Sequence, residues 1–252
     1  MEKTTHMLSV LFFICIVISN VTFAQEIMKI EKKDKSTISI PVSDIAAITF
    51  SGSTTASDGT VKDVDGNLYK KVTIGSQTWM AENLRTTKLN DGTAIVQVSD
   101  NEKWKSVAGP AFCWYENKEV HKNPYGALYN GYVVLTDKVC PAGWRVPNDA
   151  DWNVLQKPFG NYAGIQLKEK GTLHWEKNST NVTNETGFTA VGSGYRSTVG
   201  LFTFLNGTGL WWTSSLSGTS NLFTRAMWGE NATLGKGDYP KTTGASIRCI
   251  KE

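Results

Sequence analysis

Apolar and polar positions alternate strictly where the patterned part of the chain begins. Ile27-Met-Lys-Ile-Glu-Lys32 alternates, Lys33-Asp-Lys-Ser36 supplies a turn, and Thr37-Ile-Ser-Ile-Pro-Val42 alternates back. Period two with a polar break predicts a β-hairpin. Ser43–Phe50 continues the pattern as a short turn and a third strand. Small polar residues without a period follow, so residues 53–59 are expected to link a small β segment, 25–52, to the main domain, 60–252. That domain opens with Val61–Ile74, two alternating strands joined at Asp65-Gly66-Asn67, a turn sequence. The run Asp63-x-Asp65-Gly-Asn67 also matches the start of a calcium loop. The glutamate that closes such a loop is missing, so a turn is the expected structure.

The period changes to that of a helix twice. Over 123–134, Asn123 is placed to cap and Pro124 to fill the first turn. Tyr125, Leu128, Tyr129 and Tyr132 then form one apolar stripe. The second change follows Cys140-Pro-Ala-Gly-Trp-Arg-Val-Pro147. Pro147 ends an extended run, and Asn148 is placed as N-cap. Asp149 and Asp151 occupy the first turn, where the helix dipole favours negative charge. Trp152 and Leu155 share a face, and Pro158 stops the helix. Capping explains the acidic pair without a catalytic role. Beyond Phe159 the chain is rich in Gly, Ser, Thr and Asn and predicts short strands and long loops. Leu210-Trp-Trp-Thr-Ser-Ser215 is the clearest strand. Its alternation sends Trp211 and Trp212 to opposite faces, one to the core and the other available to stack on a sugar ring.

Composition narrows the function classes. With 252 residues, 40% hydrophobic and 19% charged, the chain is globular and large enough for one sizeable domain and an appendage. A net charge of +3 gives no basic footprint for nucleic acid. Leu8–Ile18 is an apolar core of signal-peptide length, and Thr22-Phe-Ala24 places cleavage before Gln25. Residues 1–24 are therefore expected to be a signal peptide, and no later segment is apolar enough to span a bilayer. Removing the leader removes Cys15. Cys113, Cys140 and Cys249 remain, which in an exported chain implies one bridge and one leftover thiol, with three pairings open. Cys113 lies in an apolar strand-like run and is expected to be a buried free thiol.

Several motifs occur in a fixed order. They are Asp63-Val-Asp-Gly-Asn-x-Tyr69, Ile74-Gly-Ser-Gln-Thr-Trp-Met-Ala-Glu-Asn-Leu84, Tyr125-Gly-Ala-Leu-Tyr-Asn130, Cys140-Pro-Ala-Gly-Trp-Arg-Val-Pro147 and Trp211-Trp-Thr-Ser-Ser215, followed by Ser246-Ile-Arg-Cys249. Together they resemble the FISUMP family, the Fibrobacter succinogenes major paralogous domain. More distantly, Trp144-Arg-Val-Pro-Asn-Asp-Ala-Asp-Trp152 is similar to a stretch of the formylglycine-generating enzymes. These resemblances imply an α+β, C-type-lectin-like fold with two helices and a loop-rich mixed β-sheet. They also imply a Cys140–Cys249 bridge. The second copper-holding cysteine of the formylglycine enzymes and the calcium triplets of the lectins are absent, so neither activity carries over residue by residue. No catalytic set, metal or cofactor is expected.

The resemblance and the leader together point to an exported, non-catalytic binding or adhesion module in the periplasm, at the cell surface or secreted. Its expected partner is a glycan or a cell-surface protein, and Tyr195, Arg196, Trp212 and Trp228 are the candidate ligand contacts. A structural part of a surface assembly, docked through the N-terminal β unit, and an enzyme on the same scaffold are the competing expectations. The mature histidines, His121 and His174, sit in no catalytic or metal motif.

Overall fold

The computed structural model describes residues 27–31, 35–44, 59–177 and 181–252. The expected leader, residues 45–50 of the expected third strand and residues 53–58 of the expected linker lie outside the described residues. The chain divides into two compact units, 1–54 and 55–252. In the first, β1 (Ile27–Glu31) and β2 (Thr37–Pro41) pair antiparallel, with Ile27 opposite Pro41 and Glu31 opposite Thr37. This is the hairpin that the alternation predicts.

The second unit is mixed α+β, mostly sheet with short helices. β3 (Thr60–Lys62) and β4 (Leu68–Ile74) form its first hairpin. Asp63 builds the turn: its carboxylate accepts from the Asn67 backbone at 2.9 Å, the Asn67 side chain at 2.8 Å and the Tyr69 hydroxyl at 2.6 Å. β5 (Gln77–Met80) continues the sheet. A small second sheet comprises β6 (Val96–Gln97), β7 (Ala111–Cys113) and β8 (Leu128–Tyr129), with α1 (Asn101–Ser106) and α2 (Lys122–Tyr125) between its strands. Next come α3 (Gly131–Val134), β9 (Trp144–Arg145), α4 (Asp149–Gln156) and α5 (Ala163–Leu167).

The helix expected over 123–134 is not continuous, and α4, at eight residues, is the longest of the five short α-helices among the described residues. Gly126 explains the break. Its φ is +77°, and a Cβ there would meet Cβ of Asn83 at 2.7 Å and the Leu84 carbonyl at 2.8 Å. The chain turns there to lie against the 83–84 segment, and Leu128–Tyr129 then pairs with β7. Tyr125, Leu128 and Tyr129 are buried as a stripe would require, but by strand pairing and turns. The second expected helix is present as α4. Asn148 caps it and Asp151 completes a reciprocal capping box.

The large sheet runs β11 (Phe202–Leu205), β10 (Ser193–Arg196), β12 (Thr208–Ser217), β13 (Asn221–Trp228), β14 (Gly235–Pro240) in spatial order. The last strand, β15 (Ile250–Lys251), inserts between β5 and β9. The segment leading to it is buried throughout from Thr243 to Ile250. On its way it bridges Arg196, Tyr129 and Trp211 through Gly244, Ala245 and Ser246. One short stretch thus touches all three sheets of the unit.

Trp211 and Trp212 face opposite sides of β12, as alternation requires. Trp211 joins a cluster with Trp79, Trp152, Trp175 and Phe188, while Trp212 joins another with Phe112, Tyr129, Cys140 and Cys249. Both are fully buried, which corrects the expectation that one is free. Two faces are enclosed because α4 packs against one, through Trp152, and α3 and Tyr129 of β8 pack against the other. Cys140 and Cys249 form a disulfide across 109 positions, a loop length for which the chain-entropy model gives about 5 kcal/mol. Cys113 is a buried free thiol, and burial pushes it up to about 12.

Candidate functional site: an aromatic groove on the large sheet

The two faces of β12–β13 are treated differently. On one, Arg225 reaches α4 and donates to the Asp149 carboxylate at 2.5 Å and to the Asn153 side chain at 2.6 Å. The other carries Thr208, Leu210 and Ala226, and it opens to solvent towards Trp228. There Tyr195 of β10, Phe204 of β11, Trp228 of β13 and Tyr239 of β14 surround a concavity of about 320 Å³, floored by Gly207, Thr208, Leu210 and Ala226. Tyr195 lies 6.0 Å from the Phe204 ring and 6.0 Å from the Tyr239 ring. A smaller hollow of about 150 Å³ adjoins it through the shared Gly207 and is lined by Glu176, Lys177, Gly229 and Glu230.

Two backbone features place these rings. Regular alternation would put Phe202 and Phe204 on one face. Phe202 does pack inward, 5.3 Å from the Tyr115 ring. Phe204 has φ +59°, opposite Gly194 with φ +61°, and this double left-handed step turns it outward beside Tyr195. A bulky residue in that region is strained by about 1–3 kcal/mol, yet here it leaves a phenyl ring 61% exposed. The second feature is Gly235. A Cβ there would lie 2.6–2.7 Å from the Trp228 indole, so only a glycine lets the ring lie along β14.

The structure brings two of the four candidate contacts, Tyr195 and Trp228, into one groove. It places the other two elsewhere. Arg196 is fully buried: it donates to the carbonyls of Val98 (2.6 Å), Ser99 (3.0 Å) and Gly200 (3.0 Å) and to the Asn101 side chain (2.8 Å). Its guanidinium lies 4.4 Å from the centre of the Trp104 ring. It fastens the 98–101 segment to β10 and is out of reach of a ligand. Trp212 is sealed in the core, where its indole donates to the Tyr129 carbonyl at 2.7 Å. Alternation along β10 and β12 gives which side each residue faces, but not what covers it. Phe204 and Tyr239 escaped the sequence analysis. Leu201-Phe-Thr-Phe-Leu205 carries an apolar signal, but its outward turn depends on a positive φ that a phenylalanine does not advertise.

The histidines His121 and His174 approach Tyr125 from two sides, with ring centres at 5.6 Å and 5.5 Å. His174 Nδ1 lies 2.7 Å from Glu169. Among the described residues, no group of three His, Cys, Asp or Glu side chains is arranged to hold a metal ion. No helix among them is long and apolar enough to cross a membrane.

The ordered motifs are spread along the chain but meet in space. Asn83 accepts from the Trp211 indole at 2.8 Å and from Arg248 at 2.9 Å, and it donates to the Tyr125 carbonyl at 2.9 Å. Tyr129 bridges Ala245, and Cys140 is bonded to Cys249. The family model described as the Fibrobacter succinogenes major domain matches residues 72–251. The chain belongs to this family. No curated protein and no solved structure matches it. In this member of the Fibrobacter succinogenes major domain family, the ordered motifs contribute to the core, whereas the groove aromatics Tyr195, Phe204, Trp228 and Tyr239 lie outside them.

Proposed function

We propose that the chain is an exported, non-catalytic glycan-binding module of the bacterial periplasm or cell surface, and that the aromatic groove is its binding surface. The observation that carries this reading is the convergence of four aromatic side chains, from four different strands, around one open concavity. The C–H faces of a sugar ring carry slight positive charge and stack on the negative faces of aromatic rings. An open, strand-borne platform suits a flat, extended ligand, because rigid strands hold contacts better than loops. The adjoining hollow, which shares Gly207 with the groove, offers the carboxylates of Glu176 and Glu230 as acceptors for sugar hydroxyls. Closure of the fold by β15 between β5 and β9, together with the Cys140–Cys249 bridge, supports a C-type-lectin-like arrangement.

The test is a panel of immobilised oligosaccharides probed with the purified chain, once with calcium and once with chelator. Saturable binding to a defined glycan is expected. It should fall at least tenfold in Trp228→Ala and in Phe204→Ala, with the circular dichroism spectrum retained. Absence of binding across the panel overturns the reading, as does binding indifferent to both substitutions.

A second reading is favoured by the N-terminal unit. In it β1 and β2 pair as an antiparallel hairpin, and strand addition to a hairpin is a recurring way for chains to dock. We propose this unit as a docking piece for a surface assembly. Deleting residues 25–59 is expected to abolish surface retention while the main unit stays folded, and full retention would refute the idea.

A further inference from the structure

Lys168 follows the last turn of α5 and is fully buried. Its Nζ donates to the carbonyls of Trp228 and Asn231, both at 3.1 Å, and to that of Gly229. The ammonium lies 5.3 Å from the centre of the Trp175 ring. These carbonyls run from the last residue of β13, Trp228 of the aromatic groove, into the loop that carries Gly229 and Glu230 of the polar hollow. The loop is fastened twice more. Gly164 of α5 donates to the Ala232 carbonyl at 2.7 Å, and Gly229 donates to the Gly207 carbonyl at 3.1 Å.

Three carbonyls aimed at one point need three donors. A buried water supplies two, whereas an ammonium supplies three and adds charge to each bond. The cost of burying the ammonium shows in its titration, since burial holds its pKa down to about 8. Its hydrogen bonds all go to this one segment, and an apolar side chain in its place would leave three carbonyls unpaired, so the lysine acts on where these carbonyls lie.

We propose that Lys168 is the positioning residue of the groove: by gathering the 228–231 carbonyls it fixes the pose of the Trp228 indole and holds Gly229 and Glu230 at the polar end. The ligand part of this assignment rests on the glycan reading, but the positioning part does not. Trp228 also provides its own probe. It is 41% exposed, and the other eight of the nine tryptophans are at most 8% exposed, so collisional quenching of tryptophan fluorescence by acrylamide reads Trp228.

In the full chain, Lys168→Met is expected to raise the quenching constant about twofold without ligand, and Lys168→Arg to restore most of the difference. Affinity for whichever oligosaccharide the panel identifies should fall about tenfold in Lys168→Met. A folded methionine variant with unchanged quenching overturns the assignment. If that variant does not fold, the wild type decides. Backbone order parameters for 229–231 of about 0.85 support a fixed loop, and values below about 0.6 overturn it. A panel on which no glycan binds refutes the glycan reading alone, because the quenching and order-parameter results need no ligand.

Discussion

Asn83 shows at the level of one side chain how the ordered motifs of this chain are tied together. Its amide oxygen receives the Trp211 indole and the Arg248 guanidinium, and its amide nitrogen reaches the Tyr125 carbonyl and, at 3.3 Å, the Ser246 hydroxyl. Arg248 is fully buried, and its remaining bonds go to the carbonyls of Phe188 and Thr189, with the Phe188 ring 4.3 Å away. Removing the neutral acceptor leaves an indole N–H and part of a buried guanidinium unpaired. Asn83→Ala is therefore expected to cost about 3 kcal/mol, the penalty for leaving buried donors unsatisfied, one of them charged. Urea denaturation followed by circular dichroism measures it, and a loss below about 1 kcal/mol would mean that the network relaxes or takes in water. The motif that contains Asn83 was legible in sequence. Its purpose was not, because its partners lie 42, 128, 163 and 165 positions away.

Strands β13 and β14 carry the groove as an element, and Gly235 controls their fit. Gly235→Ala sets a methyl group against the Trp228 ring. Gly235 lies outside the left-handed region, so the backbone tolerates the change and the strain falls on the indole. The expected result is a tilted Trp228, a shifted emission maximum and at least fivefold weaker glycan binding, with the thermal midpoint lowered by only a few degrees. Unchanged emission and binding would show that the indole pose does not matter. Elements were legible in sequence wherever their cause is local. The capping box of α4 lies within four residues, and the hairpin at Asp63 within seven. The 123–134 helix failed because Gly126 answers to the 83–84 segment, a contact that periodicity does not encode. The groove was half legible for the same reason. Tyr195 and Trp228 stood out as aromatics in strands, whereas its other two rings depend on the pairing of β10 with β11 and of β13 with β14.

At the scale of the whole molecule, one buried C-terminal stretch, 243–250, closes the main unit by touching every sheet. The main unit also buries several phenols and Lys168, which sets how stability varies with alkaline pH. Tyr69, Tyr115, Tyr125, Tyr129 and Tyr239 all have their pKa raised, chiefly by burial. In the unfolded chain a tyrosine loses its proton near pH 10, while the folded chain keeps it. The unfolded state then binds fewer protons, so stability falls as pH rises above about 10. Lys168 acts in the opposite sense over a lower window. Folded, it titrates at about 8, and unfolded at about 10.4. Between those values the unfolded state binds more protons, so stability rises with pH there. Cys113 opposes it: burial pushes its thiol up to about 12, whereas an unfolded cysteine titrates at about 8.5, so stability falls with pH between those values. The two effects largely offset each other up to about pH 10, where the steep loss from the phenols begins. Chemical denaturation at fixed pH steps on the wild type and on Lys168→Met isolates the lysine: the stability difference should move in favour of the wild type as pH rises from about 8 to 10. A difference that does not change with pH would show that Lys168 is not held in a desolvated site, and wild-type stability that stays flat above about pH 10 would show that the phenols are open to water.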